Sequence, residues 1–160
     1  MKQPGISGIA ALAMAPIAIG AIVAARTQDA SPMLAVPAIV LGVVAATGPA
    51  LYIASAAVGG APPLGAMARA FGVALGAFAT ALAGLVLPVA FLALSATEPT
   101  TAVFASSIAI AAAALCAVKR LARELAPATA AASAVYAGWA LATLGIAARL
   151  WWDVAAEVLA

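Results

Sequence analysis

The chain has 160 residues, of which 68% are hydrophobic and only 8% charged, with a formal net charge of +2. A soluble domain of this size needs far more polar cover than that, and a balance of +2 is too small to point to a nucleic-acid partner. The mean hydropathy of +1.22 leaves lipid as the solvent. At roughly 20 apolar residues per crossing, the length allows five or at most six spans and no sizeable soluble domain.

Five apolar stretches follow in chain order. The first, near residues 6–25, ends at "RTQDASP". A single Lys2 followed by an apolar run and "VAAR" also fits a secretory signal, but the run is longer than a usual signal core. We therefore expect an uncleaved span. The second stretch, near 33–58, ends at "GGAPPLG", and the third, near 66–94, at "SATEPTT". The fourth covers about 101–118 and runs into "AVKRLARELAP". Pro127 separates it from the fifth, near 128–148, which is followed by the tail "RLWWDVAAEVLA". The expected fold is an all-α, polytopic transmembrane bundle forming one domain over residues 1–160.

About a third of the residues are alanine, so each span is only weakly apolar. The strongly apolar side chains of the fourth stretch sum to about 3 kcal/mol of insertion free energy, which one central charge would cancel. All charges must then sit at span ends, and they do. Small residues recur every four positions at Gly72, Gly76, Thr80 and Gly84, and again at Gly42, Ala46, Ala50 and Ala54. This spacing places each set on one helix face. The first set is expected to be a packing face buried against another helix, within the chain or in a dimer.

Catalytic chemistry has little to build on. The chain has no His, which removes Ser–His and Cys–His catalysis, and Cys116 is a lone thiol. No ionisable group lies mid-span, where transporters and intramembrane enzymes usually carry one. No cofactor, metal site or enzyme activity is expected. Pro49 and Pro88 fall inside spans and should kink them. "PALYIAS" and "PVAFLALS" are faintly alike on adjacent, oppositely directed spans, as in transporters with broken helices. Tyr52, Ser55, Ser106, Ser107 and Ser133 are available for hydrogen bonds between helices.

Lys119, Arg120 and Arg123 form the one charge cluster. It reads as a topology anchor, because positive residues favour the cytoplasmic side. With the N-terminus inside, Lys2, Arg69, Lys119, Arg120 and Arg123 are cytoplasmic and only Arg26 and Arg149 are outside. Trp151 and Trp152 then fall in the outer interfacial belt. The location expected is the inner (cytoplasmic) membrane.

Over roughly residues 30–152 the chain resembles an uncharacterised bacterial family of multi-spanning proteins, loosely like the Yip-type five-span proteins. The likeness rests on "SPML", on "PALYIASAAVGG" with Pro49, Tyr52 and Gly59, on "LVLPVAFLALS" with Pro88, and on "GWALATLGIAARLWW". The chain departs from that pattern at "ATEPT" and at "WWDVAAEV". The resemblance implies a five-span topology and carries no activity with it. The functional expectation is a scaffold, packing subunit or membrane-organising component with the bilayer and a homo-oligomer or membrane-protein partner. The alternative is a small transporter or pore for a neutral or apolar solute.

Overall fold

A computed structural model describes the backbone of residues 6–98 and 100–159, with side chains from Met14 onward apart from residue 158. Lys2 and Pro99 lie outside the described residues. Five helices follow one another: α1 (Ile6–Thr27), α2 (Ser31–Ala57), α3 (Leu64–Ser95), α4 (Thr100–Leu125) and α5 (Ala130–Leu159). No strand occurs among the described residues. Helices α2 to α5 are each long and apolar enough to cross a membrane. The chain is an all-α, multi-pass membrane bundle. In lipid the helix is the element in which each segment satisfies its own backbone groups.

Two helices are longer than the hydropathy pattern indicates. Helix α4 continues past residue 118 to Leu125, so the charged cluster forms its last two turns. Helix α5 continues past residue 148 to Leu159, and the expected tail is helical. The Arg120–Glu124 and Arg149–Asp153 pairs, at 2.9 and 3.0 Å, are both i, i+4 along these extensions. Charges end an apolar window without ending a helix.

The helices alternate in direction, which their end contacts register. The Arg26 side chain at the end of α1 donates to the Ala96 carbonyl oxygen (2.7 Å) in the α3–α4 connection. Val23, Val103 and Ala155 cluster at the same end. At the opposite end, Gly60 in the α2–α3 connection lies against Ala132 at the start of α5.

Packing is closest where side chains are small. Helix α3 buries the ridge Ala70, Ala74, Phe78 and Leu82, spaced every four residues. Phe78 and Leu82 share one core cluster with Ala105, Ala109 and Ala113 of α4 and with Ile19 of α1. Alanines on one helix face leave room for a phenylalanine and a leucine on the next, which is how spans approach without a hydrophobic drive between them. Helix α1 meets α2 at Gly20. A Cβ added there would stand 2.8 Å from the Met33 Cα and closer still to the Pro32 carbonyl oxygen.

The expected packing face on α3 is not buried within this chain. Gly72, Thr80 and Gly84 are exposed, and Gly76 is only half-buried. A Cβ added at any of the three glycines meets no other atom within 4 Å. The reason is angular. Once the ridge 70–74–78–82 faces the core, a ridge two residues along is turned about 200° away. Thr80 closes on its own helix, donating to the Gly76 carbonyl oxygen at 2.9 Å. The Gly42, Ala46 and Ala50 face of α2 is exposed as well.

Candidate functional site

Helix α5 is the least enclosed of the long helices, with 17% of its apolar window buried. It is tied to the bundle by three aromatic side chains that carry polar tips. Trp139 donates its indole N–H to the Thr47 carbonyl oxygen of α2 at 2.8 Å. Tyr136 donates its hydroxyl to the Val118 carbonyl oxygen of α4. Trp151 donates to Ser107 Oγ (2.7 Å), and Ser107 donates onward to the Val103 carbonyl oxygen, also 2.7 Å. Tyr and Trp suit this work because one end is apolar and the other finds a polar partner when buried.

These ties correct part of the sequence reading. Of the expected interhelical hydroxyls, Ser107 bridges helices. Ser106 is fully buried, and its hydroxyl has no partner among the described residues. Trp151 turns inward against Val23, Val103 and Ala155, while Trp152 is exposed. Tyr136 and Trp139 went unassigned in the sequence. Their i, i+3 spacing on a span otherwise rich in Ala and Gly was the available signal.

Around Trp139 an aromatic cluster has formed. Phe71 meets it edge to face, with ring centroids 5.8 Å apart and planes at 81°. The Tyr136 ring centroid lies 5.9 Å from that of Trp139, with the planes tilted by 35°. Gly48 of α2 faces this cluster, and a Cβ added there would make an ordinary contact, 3.6 Å from the Phe71 ring. Beside it, Gly48, Pro49, Tyr52, Leu64, Met67 and Phe71 line part of an open groove of about 420 Å³ between α2 and α3. The lining is almost wholly apolar. It has no charged group and offers mainly shape and aromatic surface, with the Tyr52 hydroxyl as a polar group of its lining.

Pro49 and Pro88 both stand within helices, as do Pro16 and Pro37. Helices α2 and α3 run on through Pro49 and Pro88 without a break. The unwound segment that a broken-helix transporter uses to hold an ion is therefore not formed at either proline.

No family model, curated protein or solved structure matches this chain. What the chain can do rests on its own geometry.

Charge is divided between the two ends. Arg26, Asp29, Glu98 and Glu157 lie at the end marked by the α3–α4 connection, and Arg149 and Asp153 stand inward of it on that half of α5. Arg69, Lys119, Arg120, Arg123 and Glu124 lie at the end marked by the α2–α3 and α4–α5 connections. Among the described residues, no group of three metal-binding side chains converges. Asp29 accepts from the Ser31 hydroxyl at 2.6 Å and from its backbone N–H at 2.9 Å. The Ser31 hydroxyl, then its amide, hold the Asp29 carboxyl below the ordinary carboxylate value. This is a turn device leading into α2, where Pro32 occupies the first turn without costing a bonded N–H.

Proposed function

We propose that this protein is a non-catalytic helix-packing subunit of the inner (cytoplasmic) membrane, a scaffold that organises copies of itself or a membrane-protein partner. The observation that carries the reading is the open face at Gly72, Gly76, Thr80 and Gly84. It crosses the middle of the longest helix, where close backbone approach is available and no segment of the described chain takes it. The lack of charge in the middle turns of α2, α3 and α4 agrees with a packing role, since intramembrane chemistry and ion coupling call for such groups. The cluster Lys119, Arg120 and Arg123 then serves as the anchor that keeps its end of the bundle, and the N-terminus, in the cytoplasm.

The test is the association state in a mild detergent. Native mass spectrometry of the purified chain should give a defined homo-oligomer or a stoichiometric complex, and Gly76→Leu should dissolve it. A monomer that is unaltered by Gly76→Leu and has no stable partner overturns the reading. The groove beside Pro49 favours one second reading, passage or storage of a neutral apolar solute. Solute flux into liposomes that depends on Pro49 and Pro88 would select it.

A further inference from the structure

We infer that the end of the bundle carrying Arg69, Lys119 and Arg123 binds the headgroups of anionic phospholipids. Leu121 of α4 is buried in one cluster with Met67 and Ala70 of α3. That contact sets the last turns of α4 level with the first turns of α3. Arg69 adjoins Ala70, and Lys119 and Arg123 each stand two residues from Leu121. All three cations are exposed.

Their pairing decides what they are free to hold. Among the described residues the ion pairs are Arg120–Glu124 and Arg149–Asp153. Among the described residues at this end Glu124 is the only carboxylate, and Arg120 takes it. Arg69, Lys119 and Arg123 are left without a carboxylate. On the other half Arg149 is paired, and Arg26 is engaged by the Ala96 and Thr97 carbonyl oxygens. Four carboxylates, Asp29, Glu98, Asp153 and Glu157, stand there as well. One end thus offers three uncompensated cations near the termini of membrane-length helices, and the other half offers an acidic excess. A cation near an anionic membrane surface gains about a fivefold preference. The occupant is a phospholipid rather than a soluble anion, because these cations sit at the ends of membrane-crossing helices.

The experiment uses the full chain in detergent micelles doped with phosphatidylglycerol or phosphatidylcholine, with bound lipid counted by native mass spectrometry. Wild type should retain phosphatidylglycerol in preference. Arg69→Gln, Lys119→Gln and Arg123→Gln should each lower that preference about fivefold. Glu124→Gln, which releases Arg120, should raise it, and a merely structural role would not produce a gain. Arg149→Gln on the far half should leave it unchanged. Sodium chloride at high concentration should abolish it by screening. Should the variants fold poorly, the salt dependence of wild type stands as the test. Equal retention of both lipids, or a preference indifferent to salt, overturns the proposal. So does a melting temperature raised as much by inorganic phosphate as by phosphatidylglycerol, which would make these cations a site for free anions. Micelles present lipid to both ends, so these outcomes do not depend on which end is cytoplasmic or on whether the chain is a scaffold.

Discussion

Gly20 of α1 lies directly against the Pro32 backbone of α2, closer than any side chain allows. Pro32 is itself fully buried, so neither partner has room to move. Gly20→Ala brings two opposed effects. Alanine favours the helix by about 1 kcal/mol over glycine, while forcing a methyl group onto rigid backbone costs about 1–3 kcal/mol. The obstacle is main chain rather than the end of a flexible side chain, so the clash wins. Gly20→Ala should lower the melting temperature of the detergent-solubilised protein. An unchanged or raised melting temperature would show that α1 and α2 do not meet there.

Gly76 is the contrasting case. With nothing within 4 Å of its missing Cβ, Gly76→Ala should leave the melting temperature of the isolated monomer unchanged or slightly raised. Gly76→Leu should be tolerated equally well by the monomer while weakening any assembly that uses this face. Size-exclusion chromatography beside a thermal melt separates the two effects. A loss of monomer stability in Gly76→Leu would mean that the face is buried within the chain.

These two glycines show where the sequence is legible. The number, type and order of the helices follow from hydropathy and breakers, because the cost of burying charge in lipid is large and local. The choice of packing face does not follow. Gly72, Gly76, Thr80 and Gly84 have the spacing of a contact face, and so do Ala105, Ala109 and Ala113; within the single chain it is the alanines that make the contact, which leaves the glycine face open to a second copy or a partner. In a chain so rich in alanine, many ridges are small enough to pack. The selection is made by which large side chains, here Phe78 and Leu82, must be covered. The contact at Gly20 depends on α2 beginning at a particular height beside α1, which the Asp29–Ser31 turn sets. Spacing along one helix carries no record of it.

The hydrogen bond from Trp139 to the Thr47 carbonyl oxygen joins residues 92 apart in sequence. Trp139→Phe keeps much of the ring packing against Phe71 and removes the donor. Interhelical hydrogen bonds in membranes contribute about 0.6 kcal/mol on average and up to about 1.7. Trp139→Phe should therefore lower the unfolding free energy by about 1 kcal/mol, with Trp139→Ala costing more as the aromatic cluster loses its centre. Reversible unfolding in mixed micelles measures both. Equal losses for the two variants would leave the hydrogen bond as the whole of the residue's contribution.

Asp29 gives a pH-dependent prediction. Its carboxyl is held below its ordinary value by the Ser31 hydroxyl and then by the Ser31 amide. A group whose pKa is depressed by folding stabilises the fold above its unfolded pKa, and the contribution is lost as pH falls through the folded value. The turn into α2 should therefore loosen only in acid, below the ordinary Asp range. A carbon-13 carboxyl titration should place Asp29 below 3.8, and Ser31→Ala should move it back up. A midpoint that Ser31→Ala does not shift would remove the hydroxyl as the cause.

The threading of the bundle can be tested from its two ends. The α3–α4 connection shares an end with the last turns of α1 and α5, through Arg26–Ala96 and the Val23, Val103 and Ala155 cluster. The α2–α3 and α4–α5 connections share the other end, where Gly60 meets Ala132. Of the seven basic residues, Lys2 lies before α1 in sequence, and Arg69, Lys119, Arg120 and Arg123 stand at the second end. Arg26 stands at the first, and Arg149 is on that half of α5. On the positive-inside preference the second end is expected to face the cytoplasm. Ala128 and Thr97 are exposed, one in each class of connection. Ala128→Cys should resist a membrane-impermeant thiol reagent in intact cells, and Thr97→Cys should react. Both belong in a Cys116→Ala background, because that thiol is itself exposed. Permeabilising the cells should make Ala128→Cys react as well, which shows that its protection came from the membrane. Labelling in the opposite sense would invert the threading and remove the anchoring role of Lys119, Arg120 and Arg123.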